Sequence, residues 1–135
     1  MLFCITANAQ FNETAKTQLV KEWQRAKAYT LEYLDAMPKD KYGFKATDSV
    51  RSFAQQMLHL AQDIVIMVSI GTGKERTWQG QTLEQRLSAQ KADSVKYFVT
   101  AGYDYGIDAI QTMGASKLEE IVQNKRFQKQ DLPGC

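Results

Sequence analysis

The chain has 135 residues, of which 44% are hydrophobic and 24% are charged. These values are typical of one folded domain and exclude a disordered or fibrous protein. A net charge of +2, from 17 Lys and Arg against 15 Asp and Glu, argues against a nucleic-acid-binding protein. The chain has one histidine, His59, and two cysteines, Cys4 and Cys135, which are too few for a metal cluster or a disulfide framework.

The first nine residues have the pattern of the end of a signal peptide. Met1 begins a short apolar run, and the small side chains of Ala7 and Ala9 suit a signal peptidase, which predicts cleavage after Ala9 and export to the periplasm. The run is far shorter than the roughly 20 residues of a membrane-spanning helix, so no membrane span is predicted. No Lys or Arg precedes it, which leaves open an ordinary apolar N-terminus of a cytoplasmic protein. Residues 10–135 are predicted to form a single domain.

The first long helix is predicted over residues 12–37. Apolar side chains such as Leu19 and Trp23 recur there at steps of three and four residues, and most charged residues lie on other faces. We expect the helix to end before Pro38, because the residue that precedes a proline avoids helical backbone angles. A connector over residues 38–51 follows.

The second predicted helix begins with a capping box formed by Ser52 and Gln55, whose side chains cover free backbone N–H groups. It is predicted to end at Gly71. The stretch from Ile64 to Ile70 is nearly continuous in apolar residues, so this helix is predicted to be the centre of the core. The apolar stripe comprises Phe53, Met57, Leu60, Ile64 and Met67 or Val68.

The third long helix is predicted from Lys91 to Met113, after a polar loop and a short helix opened by a capping-box pattern at residues 82–85. Gly102 and Gly106 lie four residues apart on it, and each costs about 1 kcal/mol of helix propensity relative to alanine. Together they predict a smooth strip where another helix approaches closely. A further short helix is predicted over residues 116–122.

Three long amphipathic helices and no strand pattern predict an all-α fold, an up-down helix bundle. Helices of this length usually pack near-antiparallel at about 20°. A broad apolar stripe on each of the three helices leaves room for a fourth helix, which this sequence does not supply.

His59 is the candidate for metal chemistry. Asp63 lies one helical turn further along the same face, where a carboxylate orients an imidazole ring or joins its ligand set. A working metal site needs about three protein ligands, and the chain has no second histidine. The alternative is a histidine at the edge of the core that is satisfied by a hydrogen bond.

Two other motifs are interpreted as structural. The stretch GTGK at residues 71–74 lacks the first glycine and the Ser or Thr of a Walker motif, so it is predicted to be a helix C-cap. Four aromatic residues along the third helix are predicted to lie in the core or at its edge, not in a ligand box. They are Tyr97, Phe98, Tyr103 and Tyr105.

Two neighbouring stretches, Met37–Thr47 and Val50–Ala61, resemble the DinB-like family of four-helix bundles. In that family a first helix ends at Met-Pro, a connector carries an aromatic-basic-small triplet, and the next helix brings a metal-binding histidine after a Ser-Phe pair. The segment around Tyr103–Tyr105 looks like the third helix of the family. The resemblance covers about residues 11–122.

The resemblance implies a divalent-metal site, of zinc or nickel type, held by three histidines. Family members are linked to hydrolysis, isomerisation or thiol transfer on small molecules, often as homodimers. By the match, His59 takes the position of the first ligand, and the other two ligands belong to an HxxxH pair on a fourth helix that this sequence lacks. The resemblance therefore implies a metal-dependent enzyme that is inactive as written and holds no metal stably by itself. The alternative is a non-catalytic bundle that dimerises or binds a partner through its uncovered apolar face.

Overall fold

The structure is a computed structural model that describes residues 3–119, and within that range it is helical and contains no strand. The long helices are α1 (Phe3–Ala36), α2 (Phe53–Thr72) and α3 (Ala92–Thr112). The predicted all-α class is confirmed. Short 3-10 helices lie between and after the long ones, at Lys39–Lys41, Leu83–Gln85, Leu87–Gln90 and Ala115–Glu119.

Helix α1 begins earlier than predicted, at Phe3 instead of residue 12, and ends at Ala36, two residues before Pro38. The extra turns form because residues 3–36 contain neither glycine nor proline to interrupt the helix. The cleavage site predicted after Ala9 lies inside this helix, and the signal peptide stays a prediction. The short helix predicted from residue 116 begins at Ala115, and its predicted end lies outside the described residues.

The two ends of α2 are set by local hydrogen bonds. The predicted capping box is confirmed: the Gln55 N–H donates to Ser52 Oγ at 3.2 Å, and the Ser52 N–H donates to Gln55 Oε1 at 2.9 Å. The helix does not end at Gly71 but continues to Thr72. Gly73 ends it, because its φ of 77° is left-handed and its N–H donates to the Ser69 carbonyl at 2.9 Å.

Helices α1 and α3 run antiparallel, as their polar contacts show. The Lys16 ammonium donates to the Met113 carbonyl at 3.3 Å, near the end of α3. The Asp35 carboxylate lies 2.5 Å from Lys96, near the start of α3. Residue numbers therefore fall along α3 as they rise along α1.

Helices α2 and α3, in contrast, run parallel. A Cβ added at Gly102 would lie 3.0 Å from the carbonyl oxygen of Ala61, and further along both segments Lys74 pairs with Asp108. This parallel pair departs from the alternating directions predicted for the bundle. The reason is the long connection over residues 73–91, which folds back along α2 so that α3 starts beside the start of α2.

The core is built around α2, as predicted. Its buried side chains face α3, and Tyr42 of the connector closes one end by donating its hydroxyl to the Leu34 carbonyl at 2.9 Å. Burial raises the pKa of the Tyr42 hydroxyl, so the group stays neutral and keeps its proton for this bond. The largest fully buried side chains are Leu34, Leu58, Val65, Leu83, Val95 and Val99.

Among the described residues, α2 is long and apolar enough to cross a membrane when judged by length and composition alone. The core helix of a bundle meets the same criterion, and six residues of α2 are buried here against its neighbours. The finding is therefore weak evidence for a membrane span.

The predicted close approach at the glycines of α3 is confirmed, and each glycine serves a different neighbour. A Cβ at Gly102 would meet the Ala61 backbone of α2 at 3.0 Å, and a Cβ at Gly106 would meet the Trp23 ring of α1 at 2.6 Å. Both contacts are shorter than ordinary van der Waals distances, so neither position accommodates a side chain without movement.

We expect Gly102→Ala and Gly106→Ala each to lower the free energy of unfolding by about 1–3 kcal/mol, because the overpacking outweighs the gain of about 1 kcal/mol in helix propensity. The matched control is Gly71→Ala, which lies inside α2 with nothing within 4 Å of the added carbon. This variant should be more stable than the wild type. Urea unfolding measures all three, and a stabilised Gly106→Ala variant would contradict the packing described here.

Candidate functional site

His59 lies on the outer flank of α2, not on an inward face. Its neighbour Leu58 is fully buried, and consecutive helical residues point about 100° apart, so the imidazole is directed away from the centre of the core. The side chain of His59 is 35% exposed. The ring therefore lies at the edge of the core.

Both nitrogens of the His59 ring face carboxylates. Nε2 lies 3.1 Å from Asp63 Oδ2, which confirms the pairing expected from their spacing. Nδ1 lies 3.2 Å from Glu84 Oε2, a contact that the sequence analysis missed. Arg51 then approaches the same carboxylate, with its Nε 2.7 Å from Glu84 Oε2. We call these four residues the His59 cluster.

The connection over residues 73–91 brings Glu84 to α2. Leu83 is fully buried and anchors this segment in the core. Its N–H donates to the Gln62 side chain of α2 at 3.1 Å, while Thr82, the predicted cap, makes no side-chain cap bond. The side chain of Gln62 also donates to the Gln81 carbonyl. Because Gln62 and His59 lie one turn apart on α2, they hold successive residues of the connection.

The described residues do not fit a resident metal ion. Each His59 ring nitrogen lies within 3.2 Å of a carboxylate oxygen, so a metal ion could reach either nitrogen only if that carboxylate moved aside. Within residues 3–119, no group of three or more His, Cys, Asp or Glu side chains could hold a metal ion. The assignment of His59 as a metal ligand stays a prediction from the family resemblance.

The other motifs have the structural roles predicted for them, with one exception. Gly73 is the C-cap of α2, as expected for the GTGK stretch. Tyr103 and Tyr105 are buried, and Phe98 is packed against the core. Tyr97 is the exception, because it is 65% exposed on the surface of α3.

A concave surface lies between α1 and α2. It is a groove of about 470 Å³, and Tyr103 of α3 lies among its lining residues. We call it the α1–α2 groove. Its charged lining residues are Glu22 and Arg25. Its apolar lining comprises Leu19, Trp23, Ala26, Tyr29, Leu60, Ile64 and Tyr103.

The groove exists because α1 and α2 both pack against α3 and only sparsely against each other. The three wide apolar stripes in the sequence predict an uncovered apolar face. The stripes alone do not indicate which helices line that face, since this depends on α2 and α3 being parallel. Tyr29 and Tyr33, on the same side of α1, are 63% and 57% exposed.

We expect Glu84→Gln to loosen the connection without unfolding the bundle, because it removes the charge that both Arg51 and His59 contact. The exposed ion pairs are each worth about 1 kcal/mol or less, so amide exchange around residues 81–86 should accelerate about tenfold or less. Glu75→Gln is the control, since it changes the same charge in an exposed position of the same connection. Equal exchange rates in the two variants would show that the His59 cluster does not hold the segment.

Comparisons with known proteins give the family. The family model of the DinB family matches residues 9–127, which is most of the chain. Neither the curated proteins nor the solved structures include a significant match to it. The match agrees with the all-helical fold and with the stretches around Pro38 and His59 that carry the resemblance. This chain belongs to the DinB family.

Proposed function

We propose that this DinB-family chain is a non-catalytic helical bundle that forms a homodimer through the α1–α2 groove. The observation that carries the proposal is the apolar lining of the groove, together with two large aromatic side chains, Tyr29 and Tyr33, that are more than half exposed beside it. Exposed apolar patches of this kind mark interaction sites.

The exposed tyrosines make the dimer energetically reasonable. An aromatic side chain buries 150–250 Å² when covered, and apolar burial contributes about 25 cal/mol per Å². Covering the exposed part of Tyr29 or Tyr33 is therefore worth about 3 kcal/mol per ring. A two-fold dimer covers four such rings, which offsets much of the roughly 4–15 kcal/mol lost in association.

Export to the periplasm, with removal of residues 1–9, is part of the same proposal. The groove begins at Leu19, ten residues beyond the predicted cleavage site, so the mature chain would keep its complete lining. N-terminal sequencing of the protein from the producing cell tests the cleavage. A mature chain that begins at Gln10 supports export, and one that begins at Met1 contradicts it.

The second candidate function is a metal-dependent hydrolase or thiol transferase that acts on a small molecule. Membership of the DinB family and the position of His59 on α2 favour it. A divalent ion of zinc or nickel type would supply an activated water or thiolate. His59 would first have to release Asp63 or Glu84, and further ligands would have to come from outside residues 3–119.

We expect the wild-type chain to sediment as a dimer at about 100 μM. Tyr29→Ser should raise the dissociation constant about 10⁴-fold, because two rings worth about 3 kcal/mol each are lost per dimer. Tyr97→Ser is the matched control, since Tyr97 is 65% exposed on α3 and does not line the groove. It should leave the dimer intact. A wild-type chain that is monomeric under these conditions, or equal weakening by the two substitutions, would refute the proposed interface.

We expect zinc and nickel to bind this chain with less than one equivalent per protomer in calorimetric titrations, and His59→Ala to leave the titrations unchanged. Both His59 nitrogens lie within 3.2 Å of carboxylate oxygens, which occupy the positions from which a metal ion would bind the ring. One equivalent bound tightly by the wild type and lost in His59→Ala would favour the metal-dependent enzyme instead.

A further inference from the structure

We infer that the two copies pack with their α1 helices antiparallel, in a register set by Glu22 and Arg25 at the α1–α2 groove. This inference rests on the proposed dimer and specifies its geometry. It follows from the charges of the groove, the exposure of the side chains and the symmetry that two identical chains impose.

The charges at the groove favour a second copy over an acidic or basic partner. The two charged side chains that line it are one carboxylate, Glu22, and one guanidinium, Arg25. They have opposite signs and lie one turn apart on the same helix, where they form an ion pair within the chain. When two such helices lie antiparallel, the carboxylate of each copy can face the guanidinium of the other, so the surface is complementary to itself.

Both side chains are accessible for such a contact. The side chain of Glu22 is 42% exposed and that of Arg25 is 64% exposed. Their positions differ by three residues, which is about 4.5 Å along the helix axis. An exposed pair of this kind contributes little within one chain, so its members are free to contact a second helix at small cost.

Two-fold symmetry then selects one register. When antiparallel α1 helices cross with the axis between residues 23 and 24, Glu22 of each copy lies opposite Arg25 of the other, and the pair forms twice. A shift of three residues in one direction places Glu22 opposite Glu22, and in the other direction Arg25 opposite Arg25. A parallel, in-register arrangement also brings like charges together. Such arrangements are disfavoured, because close like charges repel across an interface.

Trp23 lies nearest the axis, with its ring against Gly106 of α3, and Ala26 beside it permits a close crossing. Ala26 lines the groove one turn beyond Glu22, and its small side chain lets another helix approach. Tyr29 and Tyr33 lie further along α1, where they extend over the surface of the second copy. The apolar contact and the charge contact therefore use the same side of α1.

The test reverses the two charges separately. We expect Glu22→Arg alone and Arg25→Glu alone each to weaken the homodimer about tenfold, because two unlike contacts become two like ones. An equimolar mixture of the two variants should form a heterodimer about as tightly as the wild type. The double variant E22R/R25E should again form a homodimer. Sedimentation equilibrium measures the affinities, and pull-down through a tag on one variant measures the pairing.

Matched controls separate this register from a general effect of charge. Asp48→Arg and Lys45→Glu make the same changes in net charge at exposed connector positions outside the groove, and they should leave the affinity unchanged. Each variant lacks the Glu22–Arg25 ion pair within its own chain, both alone and in the mixture. Restored binding in the mixture is therefore due to the contact between the two copies.

The outcomes distinguish the register from the dimer. If the wild type dimerises but the single reversals do not weaken it, or the mixture fails to restore it, the register is wrong and the dimer remains. If the wild type is a monomer, the proposed function itself fails. Weakening by each reversal with recovery in the mixture supports both.

Discussion

The close approach of α3 to both of its neighbours is the constraint on which the rest of the structure depends. Gly102 lets the backbone of α2 come near, and Gly106 makes room for the Trp23 ring of α1. With α3 between them, α1 and α2 pack only sparsely on each other. Among residues 3–119, the apolar stripes of α1 and α2 therefore line the α1–α2 groove instead of packing against each other, and the groove lies where it does because of the two glycines of α3.

Much of this arrangement could be predicted because its signals are local. The capping box at Ser52, the stop before Pro38 and the two glycines of α3 act within a few residues of themselves. The direction of α3 relative to α2 could not be predicted in this way. It depends on how the connection over residues 73–91 folds back along α2, and Leu83 and Gln62 set that path through contacts 21 residues apart.

The candidate site shows the same division between local and distant contacts. The pairing of His59 with Asp63 follows from helical spacing and could be predicted. Glu84 reaches the same ring from 25 positions along the chain, and Arg51 reaches Glu84 from 33. No periodicity links these positions. Yet Glu84 shapes the surroundings of the ring, because its carboxylate lies 3.2 Å from Nδ1, on the side opposite Asp63.

The groove and the His59 cluster lie on different sides of α2, and this separation makes the two candidate functions physically independent. Ile64 and Leu60 line the groove, while His59 lies about 100–140° around the helix from them. A second copy seated against Leu60 and Ile64 therefore leaves the flank that carries His59, Asp63 and Glu84 uncovered. Dimer formation would neither supply ligands to His59 from the groove side nor exclude ligands from the opposite flank. The proposed homodimer therefore uses the apolar side of α2, whereas metal chemistry would use its polar side.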